Sequence, residues 1–78
     1  MVEIAMYNER DAVGVEQLET GEVRLHIGID HTADHIVEAL RTNGFDDHVD
    51  EAVKLISDDE LARDFETKDD FVLIKAKA

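Results

Sequence analysis

Val23-Arg24-Leu25-His26-Ile27-Gly28-Ile29-Asp30 runs directly into His31-Thr32-Ala33-Asp34-His35-Ile36-Val37-Glu38-Ala39-Leu40. In the first eight residues Val23, Leu25, Ile27 and Ile29 fall at every second position, the period of a strand with one buried face. In the next ten, Ala33, Ile36, Val37 and Leu40 stand at i, i+3, i+4 and i+7, one face of a helix. A change of period from 2 to 3.6 at a single junction demands both strands and helices, so the chain reads as α+β. Asp30 or Thr32 can cap the helix start by accepting backbone N–H bonds. Asn43-Gly44 ends the helix, and Phe45 falls where it can touch Leu40, the apolar contact of a Schellman ending.

Upstream, Val2, Ile4 and Met6 alternate with Glu3, Ala5 and Tyr7, and Val13 and Val15 alternate with Ala12, Gly14 and Glu16. These segments predict two further strands. Asn8-Glu9-Arg10-Asp11 is a polar turn between them, and Glu19-Thr20-Gly21-Glu22 reads as a hairpin turn with Gly21 supplying a positive φ. Downstream, Val49, Ala52, Val53 and Ile56 repeat the helical spacing behind Asp46 or Asp47. Ser57-Asp58-Asp59-Glu60 has the form of a capping box, with Ile56 and Leu61 as its hydrophobic staple. It predicts a third helix carrying Leu61, Ala62 and Phe65. Phe71-Val72-Leu73-Ile74 then reads as a last strand, with Lys75 and Lys77 discouraging edge-to-edge association. The expected fold is a single α+β domain over residues 1–78. It is a four-stranded, mainly antiparallel sheet, a meander rejoined by the last strand (βββ-ααα-β), with three helices packed on one face.

A chain of 78 residues buries only about 60% of the surface it exposes when unfolded. A deep substrate pocket is not expected, and stability must come from packing, salt or self-association, a homodimer included. The absence of cysteine excludes disulfides, thiolate metal sites and cysteine nucleophiles. No apolar run approaches the roughly 20 residues of a membrane span. Met1-Val2-Glu3-Ile4 lacks a signal peptide's basic start. The expected location is the cytoplasm, or the host cytoplasm for a virus-encoded protein.

The net charge is −12, from 20 acids against 8 bases. That sign opposes direct binding to nucleic acid or anionic lipid. The composition, rich in Asp, Val and Ala, resembles that of proteins from salt-loving archaea or their viruses. Residues 46 to 70 hold eleven acids against Lys54, Arg63 and Lys68, a net −8. Asp46, Asp47, Asp50, Glu51, Asp58, Asp59, Glu60 and Asp64 form the candidate partner-binding set, expected on two consecutive helices. Acids three or four apart on a helix lie about 5–6 Å from one another. Such a face can imitate a phosphate backbone and attract a protein whose own ligand is nucleic acid. The plain alternative is a solvated acidic surface suited to concentrated salt, with helix starts favouring Asp through the macrodipole.

Signals of catalysis are weak. His31 and His35 are four apart, and with His26 they could share a divalent metal. The His-Glu-x-x-His pattern of a catalytic zinc pair is absent, and a solvated pair at a helix start accounts for the spacing equally well. Ser57, the only serine, is explained by capping and has no nucleophile-elbow glycines around it. Gly14, Gly21, Gly28 and Gly44 are dispersed and make no phosphate loop. No cofactor is expected. The sequence points to a non-enzymatic acidic interaction module for a protein with a basic, nucleic-acid-binding surface, in its sharper form a nucleic-acid-mimic inhibitor that occupies that partner's basic groove, or to a housekeeping or regulatory halophile protein whose acidity is adaptation alone.

Overall fold

The junction between residues 28 and 33 separates strand from helix as its spacing requires. In the computed structural model, which describes residues 2–57 and 62–76, β3 (Val23–Gly28) ends there and α1 (Ala33–Thr42) begins. Before β3 come β1 (Val2–Tyr7) and β2 (Gly14–Gln17). After α1 come a 3-10 turn (Asp46–His48), α2 (Val49–Ser57), β4 (Ala62–Thr67) and β5 (Phe71–Ala76). The sheet has five strands in the order β2-β3-β1-β5-β4.

The local endings follow the residue types. At the close of α1, Gly44 takes φ +81°, its N–H donates to the Arg41 carbonyl, and the Phe45 N–H donates to the Leu40 carbonyl. That is the complete Schellman pattern. Gly21, at φ +90°, turns the β2–β3 hairpin, which Leu18 closes by exchanging backbone bonds with Gly21 and Glu22. Ile36 and Leu40 of α1 and Val49, Ala52 and Leu55 of α2 join Val2, Ile4, Val23, Leu25 and Ile27 in one buried cluster. Removing side chains of this size from water contributes about 1.5–3 kcal/mol each. The described helices therefore pack on a single sheet face, the one carrying the even-numbered residues of β1 and the odd-numbered residues of β3.

Two expectations fail. The sheet is not a four-stranded antiparallel meander: β1 and β3 run parallel, Val2 opposite Val23 through Tyr7 opposite Gly28, and β2 is displaced to the edge. Burial explains the order. Val2, Glu3, Ile4 and Ala5 are all buried, so β1 needs neighbours on both sides, and it has β3 on one and β5 on the other. β2 is four residues long and ends in exposed Glu16 and Gln17, a composition suited to an edge.

The third helix is also absent from its expected place. Ser57 is the last residue of α2, Asp58 to Leu61 lie outside the described residues, and Ala62–Thr67 is a strand paired antiparallel with β5. Leu61, Ala62 and Phe65 satisfy a helical face only weakly, whereas Asp64-Phe65-Glu66-Thr67 also has the period of a strand. Pairing decides between them. Without β4, the apolar strand β5 would leave one row of backbone N–H and C=O groups unbonded. The hairpin turns at Lys68-Asp69-Asp70, closed by the Lys68 N–H on the Phe71 carbonyl at 2.7 Å.

Candidate functional site

The second sheet face carries no described helix. Parallel register brings Glu3 beside Arg24, Ala5 beside His26, and Tyr7 beside Gly28, with Lys75, Leu73 and Phe71 on the far side of β1. Glu3 is only 6% exposed and accepts from Arg24 through Nε (2.8 Å) and Nη2 (2.7 Å), with Lys75 Nζ 3.9 Å away. Its buried charge is thus matched by two cations, the condition under which a carboxylate tolerates such a place. Next to it, Tyr7 Oη lies 3.0 Å from His26 Nδ1 and Glu16 Oε1 lies 3.0 Å from His26 Nε2. A carboxylate only accepts, so His26 donates from Nε2 and, as a neutral ring, accepts the phenol proton at Nδ1. The hydroxyl, imidazole and carboxylate thus stand in a hydrogen-bonded series that ties β1, β3 and β2 together.

The β1–β2 loop folds over the end of this face. Arg10 Nε donates to the carbonyls of Ala12 and His26, both at 3.1 Å, and its guanidinium lies 5.2 Å from the centre of the Tyr7 ring. Gly14 and Gly28 make the approach possible: a Cβ on Gly28 would stand 2.8 Å from the Arg10 carbonyl oxygen. Tyr7, Arg10, Glu16 and these two glycines were not singled out from the sequence. Tyr7 and Gly28 belong to the alternate residues of β1 and β3, whose meeting is legible only once those strands are known to be parallel.

The helical side differs electrostatically. Asp34, Glu38, Asp46, Asp47 and Asp50 are exposed, and among the described residues none has a cationic side chain within salt-bridge distance. On the sheet side Arg24 and Lys75 pair with Glu3 and Lys68 pairs with Glu66, while His26 hydrogen-bonds Glu16. Lys68, hydrogen-bonded to Glu66, holds that carboxyl below the usual range, helped by Lys75. Of the candidate partner-binding residues, Asp46 and Asp47 occupy the 3-10 turn, and Asp50 and Glu51 open α2. Glu51 accepts from the Val2 N–H at 3.2 Å, a tie to β1. Asp58, Asp59 and Glu60 lie outside the described residues, and Asp64 stands opposite Lys75 on β4. Among the described residues the acidic block is therefore divided between the 3-10 turn, α2 and the β4–β5 hairpin.

The three histidines are not brought to one ion. His26 is hydrogen-bonded to Tyr7 and Glu16 on the sheet, while His31 and His35 flank the start of α1 with ring centres 5.4 Å apart. His31 Nδ1 accepts the Gly28 N–H at 2.7 Å, and His35 Nδ1 accepts the Thr32 N–H at 2.9 Å. In a neutral ring that accepts at Nδ1, the proton sits on Nε2, so neither nitrogen offers a metal a lone pair. No group of three or more His, Asp or Glu with metal-holding geometry occurs among the described residues.

Beside these histidines an open groove of about 390 Å³ runs between α1 and the β1–β2 loop. Ala12, Val13 and Ala39 supply its apolar lining, and Asp11 and Glu38 line it from the loop and the helix. His31, His35, Thr42 and Asn43 complete it. No described helix is long and apolar enough to cross a membrane. No protein-family model matches the chain, nor does any curated protein or solved structure.

Proposed function

We propose that this protein is a non-enzymatic interaction module that docks its helical side on a partner with a basic surface, such as one that otherwise binds nucleic acid. The observation that carries this reading is the patch of exposed carboxylates along the helical layer: Asp34, Glu38, Asp46, Asp47 and Asp50 have no cation within salt-bridge distance among the described residues, and they outnumber Arg41 and Lys54 of the same helices. Such a local excess of carboxylates steers a cationic partner and sets its orientation. The outer sheet face, with its charges matched and its polar groups bonded to one another, has less to offer such a partner.

The test compares two triple reversals of equal net charge. Asp46→Lys, Asp47→Lys and Asp50→Lys alter the helical side. Glu9→Lys, Glu19→Lys and Asp69→Lys alter exposed acids elsewhere. Both proteins are first checked for folding, because lysine at a helix start opposes the macrodipole. Immobilised wild type should retain host proteins that duplex DNA displaces, the helical-side variant should lose them, and the second variant should keep them. Equal losses in the two variants would assign the acidity to salt adaptation.

A further inference from the structure

The groove along α1 has a lining that selects for one kind of group. Asp11 and Glu38 bring carboxylates from two different elements. The Thr42 hydroxyl adds an acceptor. Asn43 spends its Nδ2 on the Ala39 carbonyl at 2.8 Å, which leaves Oδ1 as its unused end. His31 and His35 line the groove with ring centres 5.4 Å apart and ring planes at 77°, their Nδ1 lone pairs engaged by backbone N–H groups. Ala12, Val13 and Ala39 provide the apolar surface along which an aliphatic stem can lie. The two carboxylates oppose an anion, and the occupied Nδ1 atoms of the histidines disfavour a metal ion.

We propose that this groove receives an arginine side chain of the basic partner. Charge complementarity selects a cation. The spread of acceptors over Asp11, Glu38, Thr42 and Asn43 selects a planar, weakly hydrated one with several donors over a compact ammonium. At about 390 Å³ the groove falls within the range of small-ligand sites, roughly 300–1,000 Å³. It can take the side chain together with its flanking backbone. The inference rests on the basic-partner reading and names the contact that would give that docking its register.

The probe is N-acetyl-argininamide, with N-acetyl-lysinamide as the equal-charge comparison, titrated into the labelled protein and followed by NMR. Saturable shifts of His31, His35 and Ala39 signals are expected, with arginine tighter than lysine. Glu38→Gln should weaken arginine binding about fivefold, the effect of one charge-assisted contact at a partly exposed site. Glu19→Gln, in the β2–β3 turn and outside the groove, should leave it unchanged while removing the same charge. No saturable shift, equal affinity for the two compounds, or equal loss in the two variants would overturn the proposal. Because no macromolecule is present, failure here is separable from failure of the docking experiment, which reads Asp46, Asp47 and Asp50.

Discussion

Replacing Gly28 with alanine places a Cβ 2.8 Å from the Arg10 carbonyl oxygen and 3.3 Å from its backbone nitrogen. The obstruction is main chain, so no rotamer change relieves it. Gly28 sits within β3 and outside the left-handed region, so alanine fits its backbone and the cost is purely steric. The β1–β2 loop must lift from the sheet, loosening the Arg10 bonds to Ala12 and His26 and its seat on Tyr7. Overpacking of this kind costs about 1–3 kcal/mol. Reduced freedom of the unfolded chain returns about 0.4–1 kcal/mol. The net loss is about 1–2 kcal/mol, which lowers Tm by roughly 4–16 °C in a domain of this size. Gly14→Ala provides the internal comparison: its Cβ meets the Nη2 end of the Arg10 side chain at 2.9 Å, which can swing away. It should cost less than Gly28→Ala while still displacing the guanidinium from Tyr7. Calorimetric melts of the two variants test this order. A Gly28→Ala protein that melts within 2 °C of wild type, or a reversed order, would refute the packing of the loop against β3; the 2 °C bound is about 0.5 kcal/mol.

Glu3→Ala should destabilise by about 2–3 kcal/mol in denaturant melts, short of the 3–5 of a fully buried pair because Arg24 and Lys75 can reach water. Ser57→Ala should change stability by less than about 0.5 kcal/mol, since Ser57 is an exposed terminal residue of α2 and caps no described helix. In Lys68→Ala the Glu66 carboxyl should titrate at a higher pH by NMR, back toward its ordinary value. The sign follows from linkage: a lowered folded-state pKa gives stability that is present above the ordinary carboxylate pKa. That stability is lost as pH falls through the folded value, and the variant should lack this dependence. Potassium chloride should raise the denaturation midpoint, as the screening length falls from about 10 Å at 0.1 M to about 3 Å at 1 M. A midpoint indifferent to salt would mean that the unpaired carboxylates do not strain the fold.

Local chemistry was legible and long-range pairing was not. Gly44 and Phe45 encode the end of α1, Gly21 encodes its hairpin, and the apolar stripes of α1 and α2 encode the helical layer. Each depends on residues within one or two turns of chain. The order of strands depends on which backbone edges find each other, and alternation is the same in either direction. One sign was available: Ala5 is apolar on the face where an edge strand would be polar, which favours a central place for β1. At residues 62–67 helix and strand periods overlap, and the partner strand settled the matter. The candidate site divided in the same way. Acid positions on α2 followed from the sequence, whereas the Tyr7–His26 contact needed the parallel register that local patterning cannot supply.

That register also governs how the chain reaches its folded state. β1 pairs with β3 after a short interval, but its other edge is met only by β5, with Glu3 opposite Lys75. Closing so long a loop costs entropy before any contact rewards it, so folding should be slow for a chain this short. Until β5 docks, β1 presents an open apolar edge and β4 has no partner. Late arrival of one segment thus completes both, and the interval before it is when a crowded chain is most exposed to joining strands with a neighbour.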